Sequence, residues 1–328
     1  MKVLVTGGRG FVGNYVCRLF EIEGHEVTVL SNLSHPSGLT DEREIIYGDI
    51  RYAYDVEQAV RDSDCVIHLA AKINVDRSRE FSRPYFDVNV LGTYNVLEAV
   101  RKYGKKMIHA STSEALGGYV PIGDDEGQSE LFPHQPENPY GTMKAAADML
   151  CIGWYNSYGV DVTILRSFNI SGIGQSYDKE GAFIPKVVKC VLDGKNPVIF
   201  GGGEQTRDYT WVGDVAKAYL LLAQGSYSGQ TFHVGTGKET PIKYIAETLI
   251  KISGKDLKID YVGQRPKELR RLKCDASKLR ELGWKPTKDI DEILRGMYEN
   301  AFMTNLGVMD TEDLVKRKCP WEGMYRCE

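Results

Sequence analysis

An α/β fold built on a doubly wound parallel sheet, with a smaller mixed α/β lobe, is the class this sequence predicts. Three observations carry it. Short β-branched runs alternate with stretches of helical periodicity, a glycine-spaced turn joins the first run to the first helix, and the alternation breaks down in two later segments. In chain order the strand candidates are KVLVTGG, EVTVL, REIIYGDI, DCVIHLAA, KKMIHAST, VDVTILRSFN and QTFHVGTG, each closed by small or polar residues. VGNYVCRLFEIEG and FDVNVLGTYNVLEAVRKYG are helical stretches between them. NPYGTMKAAAD opens another, because Pro139 suits a first turn and the Ala-rich run that follows favours helix. From about Ser171 to Trp211 the rhythm gives way to loops and one helix, IPKVVKCVLDG. From about Pro241 the chain reads as helical or irregular apart from a short strand, LKIDYV. These parts form a lobe above the carboxyl ends of the strands, where ligands bind in such sheets. The expected division is residues 1–170 with about 212–240 as the sheet domain, 171–211 with 241–302 as the smaller lobe, and 303–328 as a C-terminal extension.

Bulk properties narrow the function classes. A chain of 328 residues can bury a large core, and its net charge of −4 lacks the basic excess of a nucleic-acid or anionic-membrane binder. No run reaches the roughly 18 apolar residues of a membrane span, and MKVLVTGG is a strand running into a turn, so a cytoplasmic protein with neither membrane nor nucleic-acid partner is expected. The seven cysteines are scattered at 17, 65, 151, 190, 274, 319 and 327 with no CxxC. Reduced, buried thiols explain that pattern, and no metal site is expected. Cys319 and Cys327, in CPWEGMYRC, are close enough in sequence to bridge, or to bind a metal with further ligands, but neither is the expected reading.

The turn TGGRGFVGNYV places Gly7, Gly10 and Gly13 at three-residue spacing between a strand and a helix. Glycines there allow the tight turn and bring the backbone close to a pyrophosphate, whose charge meets the helix N-terminus. The large domain is therefore read as a Rossmann-type dinucleotide-binding domain. The second strand ends at Ser31, where a carboxylate would grip the ribose 2′-hydroxyl of NAD. Arg9 would meet a 2′-phosphate, yet no basic residue follows Ser31 directly, so NAD is preferred and NADP left open. Asp49 would accept from the adenine amino group, or else cap a helix.

Tyr140 and Lys144 stand four apart at the start of a helix and so share a face. An ordinary surface pair explains that spacing. So does chemistry, in which the ammonium stabilises the phenolate so that a group with a usual pKa of about 10 acts as a base near neutrality.

The motifs together resemble the extended short-chain dehydrogenase/reductases, specifically the nucleotide-sugar epimerase/dehydratase group, over about residues 1 to 300. TGGRGFVG resembles that family's cofactor loop, HLAA its fourth-strand end, NVLGT its next helix, STSEALGG its catalytic strand end and YGTMK its Tyr-x-x-x-Lys. LRSFNISG, GGGEQTRDYTWVGDVA and DASKLRELGWKP look like its substrate-lobe signatures. The resemblance implies a base in Tyr140, a Lys144 that lowers the tyrosine pKa and holds the nicotinamide ribose, and a Thr112 that donates to the sugar oxygen. It implies cofactor contacts from Gly7, Gly10, Phe11, Val12, Gly13, Ser31, Asn32, Asp49, Ile50, Leu69, Ala70 and Ala71, together with Tyr140 and Lys144. The smaller lobe reads as a diphosphate clamp, in which Asn169 supplies an amide and Arg207 and Arg265 supply guanidinium forks, with NPVIF beside a base. RPKELRRLK reads as one clamp arginine plus a solvated face, with Arg270 and Arg271 unassigned.

The implied first step is oxidation of a sugar carbon with Tyr140 taking the hydroxyl proton, giving a keto sugar. An epimerase turns that sugar over and returns the hydride. A 4,6-dehydratase removes a proton from carbon 5 and expels water, with an Asp-Glu pair after the threonine. Here those positions are Ser113 and Glu114. Glu114 keeps the base and Ser113 is a poor proton donor, so a UDP-glucose 4-epimerase-like enzyme is expected. Alternatives are a UDP-glucuronate decarboxylase, since Thr-Ser-Glu is also seen there, and an NDP-sugar 4,6-dehydratase. Leu116 stands where the family usually has tyrosine, which bears on the substrate pocket. A catalytically silent Rossmann redox sensor is the alternative of another class. The intact Thr112, Tyr140 and Lys144 argue against it. A homodimer through the helices beginning near Asp87 and Tyr140 is also expected, presenting Val90, Leu91, Tyr94 and Leu97 from one and Met143, Ala147, Leu150 and Trp154 from the other.

Overall fold

The computed structural model describes residues 1–34, 43–118, 127–177, 181–264 and 269–305. All seven predicted strand runs enter one parallel sheet: β1 (Lys2–Thr6), β2 (Glu26–Ser31), β3 (Glu44–Tyr47), β4 (Cys65–His68), β5 (Lys106–Thr112), β6 (Val162–Ser167) and β11 (Thr231–Val234). Their spatial order is β11-β6-β5-β4-β1-β2-β3. The period-2 side-chain alternation of a strand sorts residues to two faces. On β1, Val3 and Val5 join the core under α1 (Phe11–Ile22) and α8 (Val212–Gln224). Leu4 joins the opposite core, under α2 (Ala53–Arg61), α5 (Gly92–Tyr103) and α6 (Pro139–Tyr158). Because both faces are covered, β4 and β6 are buried along their whole length. The order reverses between β1 and β4, and the crevice at their carboxyl ends is the binding position such sheets provide.

The helix expected to begin near Asp87 is interrupted. Two short helices, α3 (Val75–Glu80) and α4 (Arg83–Tyr85), lead into a π-helical turn over Phe86–Leu91 before α5 starts. In that widened turn the buried Asn89 exchanges two hydrogen bonds with the Lys72 backbone, at 2.8 and 2.9 Å, and ties down the segment that leaves β4.

The smaller lobe is built from short pairs. β7 (Asn169–Ser171) runs parallel to β10 (Tyr209–Trp211), β8 (Val198–Phe200) parallel to β13 (Asp260–Val262), and β9 (Thr206–Arg207) antiparallel to β12 (Thr240–Pro241). Behind them α7 (Phe183–Leu192), α9 (Ile242–Ser253) and α11 (Ile290–Asn305) close a core around Val188, Trp211, Leu249 and Met297, and α10 (Ser277–Glu281) packs near β11. Buried Asp208 ties the lobe to the sheet edge, accepting from the backbone N–H groups of Thr236, Gly237 and Cys274. Among the described residues no helix is long and apolar enough to cross a membrane, and Cys17, Cys65, Cys151, Cys190 and Cys274 are free thiols. Cys319, Cys327 and the extension beyond residue 305 lie outside the described residues, and residues 303–305 complete α11.

Candidate active site

The glycine turn forms as its spacing predicts. Gly7 takes φ +72°, and its carbonyl accepts from Gly10 N at 2.9 Å. A Cβ on Gly13 would lie 2.4 Å from that carbonyl, so only glycine lets α1 start against the loop. Gly10 is the N-cap of α1 and supplies no side-chain cap, and the first turn carries no acidic residue. Among the described residues the leading N–H groups of the helix, at Phe11, Val12 and Gly13, therefore have no side-chain cap. That arrangement fits a pyrophosphate. Gly7 abuts Ala70, whose N–H donates to Thr6 Oγ1 at 3.2 Å, which brings Leu69, Ala70 and Ala71 at the end of β4 to the same crevice.

At the end of β2 the polar side chains close local turns at the surface. Ser31 Oγ accepts from Leu33 N and Asn32 Oδ1 from Ser34 N, at 3.1 and 3.0 Å, around Leu33 at φ 57°. Asp49, expected to accept from adenine, is engaged by Nε and Nη2 of Arg51, at 2.9 and 2.7 Å, and by Asn32 Nδ2 at 2.8 Å. The Arg51 hydrogen bond holds the Asp49 carboxyl at about 2. Ile50 is buried beneath Gly92.

Thr112 ends β5 and caps the 3₁₀ turn Ser113–Ala115, its hydroxyl accepting from Glu114 N at 3.3 Å. Asn138 caps α6, accepting from Gly141 N at 2.8 Å, while its amide donates to Glu114 Oε2 at 2.7 Å. A Cβ on Gly141 would meet the Glu114 carbonyl at 2.4 Å, so the close approach of α6 to the turn requires glycine there. The result brings Thr112, Glu114, Tyr140 and Lys144 together. The Thr112 hydroxyl neighbours the Tyr140 phenol and favours its charged form. Burial, however, pushes that phenol above its usual value, and Thr112 offsets only part of the effect. Lys144 Nζ donates to the Ala110 carbonyl and lies 3.5 Å from His109 Nε2, and burial pushes the ammonium down.

Residues 3–235 match the model of the NAD dependent epimerase/dehydratase family. The chain belongs to this family. It is 35% identical over 296 residues to a dTDP-glucose 4,6-dehydratase of Mycolicibacterium smegmatis, covering 87% of this chain and 88% of that one. It is 34% identical over 298 residues to a putative UDP-glucose 4-epimerase of Methanocaldococcus jannaschii, covering 88% and 95%. Among solved structures, the UDP-glucose 4-epimerase of Thermus thermophilus in complex with NAD superposes with a TM-score of 0.84 at 32% identity, covering 91% of this chain and 98% of that one. As a family member, the chain is an NAD-dependent enzyme with a Rossmann-type fold, which accounts for the cradle at the α1 N-terminus.

The remaining residues of this epimerase/dehydratase site divide into those foreseen and those not. Asn169 on β7 is partly buried, and its Oδ1 has no hydrogen-bond partner among the described residues. Arg207 lies two residues before Tyr209, the register partner of Asn169, and donates from Nη1 to the carbonyls of Thr206 and Leu269, at 2.8 and 2.9 Å. Arg265 lies outside the described residues. The helical spacing carries no signal for Ser78, whose hydroxyl accepts from Tyr140 N at 3.1 Å, or for the Asn138–Glu114 bond. Only the Asn-Pro pair at 138–139, an N-cap before an N1 proline, points toward the second.

Proposed function

We propose that this enzyme is a nucleotide-sugar 4-epimerase, UDP-glucose 4-epimerase-like, acting through a transient 4-keto sugar. The observation that carries the reading is the environment of Glu114. Its carboxylate is bonded to the capping amide of α6, and its neighbour Ser113 is a buried hydroxyl in the 3₁₀ turn. Loss of water from the sugar needs a proton donor at that neighbouring position, and a serine is a poor one. Epimerisation needs only the oxidation machinery that Thr112, Tyr140 and Lys144 supply. The residues at the α1 N-terminus would hold NAD, which accepts and returns a hydride when bound. Tyr140 would take and return the sugar hydroxyl proton, Thr112 would polarise the same oxygen, and Lys144 would orient the nicotinamide ribose. The lobe of residues 171–211 and 241–302, with Asn169, Arg207 and Arg265, would clamp the diphosphate. A second copy docking on α5 and α6 would make a homodimer, and a cytoplasmic location fits this chemistry.

A second reading keeps Glu114 as a base for proton removal at carbon 5, because its charge acts on Tyr140 and therefore lies close to the reacting atoms. That reading is a decarboxylase or 4,6-dehydratase. UDP-, dTDP-, GDP- and CDP-sugars, with UDP-glucuronate, are to be incubated with enzyme and cofactor and followed by proton NMR and mass spectrometry. Unchanged mass with altered ring couplings is expected. Loss of water or of carbon dioxide replaces the 4-epimerase reading. The Glu114→Gln variant should retain most turnover in an epimerase and lose it in an eliminating enzyme.

A further inference from the structure

We propose that Asp148 is a positioning residue whose charge acts on Lys144 in the buried pocket they share with His109; the proposal rests on the role of Lys144 given above. Asp148 lies one turn beyond Lys144 on α6 and is fully buried. Its Oδ2 accepts from Ser111 Oγ and Arg166 Nη2, both at 2.8 Å, and faces His134 Nε2 at 3.2 Å. The other oxygen, Oδ1, has no hydrogen-bond partner among the described residues and lies 3.6 Å from His109 Nε2. The same His109 nitrogen is 3.5 Å from Lys144 Nζ. One imidazole nitrogen is thus a near neighbour of both the carboxylate and the ammonium.

Arginine–carboxylate pairs are frequently bidentate, with both oxygens on the guanidinium fork. Arg166 instead gives Nη2 to Asp148 and Nη1 to His233 Nε2 at 2.8 Å, which leaves Oδ1 toward β5 and Lys144. Burial disfavours the Lys144 charge, and Asp148 pulls it back up. The other ionisable groups around this lysine are His109 and, 5.5 Å behind it, His68, together with Tyr140 and Cys151 on its own helix and Arg166 on β6. Burial keeps both histidines far below their usual value and the Cys151 thiol well above its own, so all three are neutral near pH 7. What reaches Lys144 from this cluster is therefore the charge of Asp148 rather than a repelling imidazolium.

The test uses the full chain with lysine labelled at Cε, the Lys144 signal assigned by its loss in Lys144→Met and titrated by NMR. Asp148→Asn strands the Arg166 guanidinium, so the charge-neutral pair Asp148→Asn with Arg166→Gln is measured beside it. In both, the Lys144 ammonium should lose its proton with about tenfold lower proton affinity, roughly one pKa unit. The alkaline limb of the kcat profile should move down with it, and Asp148→Glu should restore both. An unchanged Lys144 titration in the folded double variant overturns the proposal. Wild-type turnover in Lys144→Met sinks the reading of Lys144 itself, an outcome independent of where its ammonium titrates.

Discussion

Tyr140 and Lys144 stand one turn apart on α6, yet their polar ends do different things. The phenol meets Thr112, and the ammonium meets the Ala110 carbonyl and His109. Because burial outweighs the pull of the Thr112 hydroxyl, the phenol keeps its proton here, and its use as a base depends on charge that gathers with cofactor and substrate. Tyr140→Phe removes only the acid–base group. It should lower kcat by roughly 10² to 10⁴ while the protein still takes up NAD on titration. Thr112→Val should be damaging but less so. Full turnover in the phenylalanine variant would return Tyr140 to an ordinary helical pair. The pair was legible because an i, i+4 spacing survives in sequence. Asp148, His109, Arg166 and His134 were not, because α6, β5, β6 and a loop bring them together only in the tertiary structure.

Among the elements, all seven sheet strands could be read in the sequence, since a strand covered on both faces is a short β-branched run closed by turn residues. The π-helical turn before α5 left no trace, because its cause is a tertiary bond from Asn89 to Lys72 rather than a periodicity. Nor could the sequence reveal that Asp49 is taken up by Arg51 across a turn of two residues. The seating of α6 on the Ser113–Ala115 turn yields a paired prediction. Gly141→Ala places a Cβ 2.4 Å from the Glu114 carbonyl, and relief requires α6 to move away from Thr112. It should cost about 1–3 kcal/mol of stability, the range for overpacking, and depress kcat as well. Gly296→Ala, in α11 where an added Cβ meets nothing within 4 Å, should instead stabilise by up to about 1 kcal/mol with turnover unchanged. Urea denaturation and turnover of the two variants check this. A Gly141→Ala protein as active and stable as the wild type would mean that the close approach is unimportant.

For the whole molecule, the proposed homodimer rests on the apolar surface left over after each helix has packed on the sheet. Leu97 and Ala147, expected at the interface, are fully buried within the monomer. The surplus is Leu91, Tyr94, Met149 and Tyr158, which are 38%, 40%, 55% and 59% exposed, with Trp154 edge-on to Tyr94 at 5.6 Å. Tyr94→Glu with Met149→Glu should convert a dimer to a monomer by light scattering at micromolar concentration, and a monomeric wild type would refute the dimer outright. The same core sets how the protein responds to acid. His68 is buried between Thr6 Oγ1 and Thr93 Oγ1, at 2.7 and 3.1 Å, and burial lowers it from 6.5 to about 3. Above pH 6.5 the ring is neutral whether the chain is folded or not, and its contribution to stability is fully present. As the pH falls below that value the unfolded chain takes up a proton that the folded ring refuses until about 3, so stability is lost progressively across that window. Glu130 and Asp208, whose carboxyls burial pushes up, work in the opposite direction, so the wild-type slope alone mixes the two effects. The comparison with His68→Gln isolates the ring, since glutamine keeps a polar side chain there but does not titrate. Urea denaturation at several pH values below 6.5 should show the wild type losing about 1.4 kcal/mol per pH unit relative to the variant. A gap between the two proteins that stays constant with pH would show that His68 protonates in the folded protein as readily as in the unfolded one.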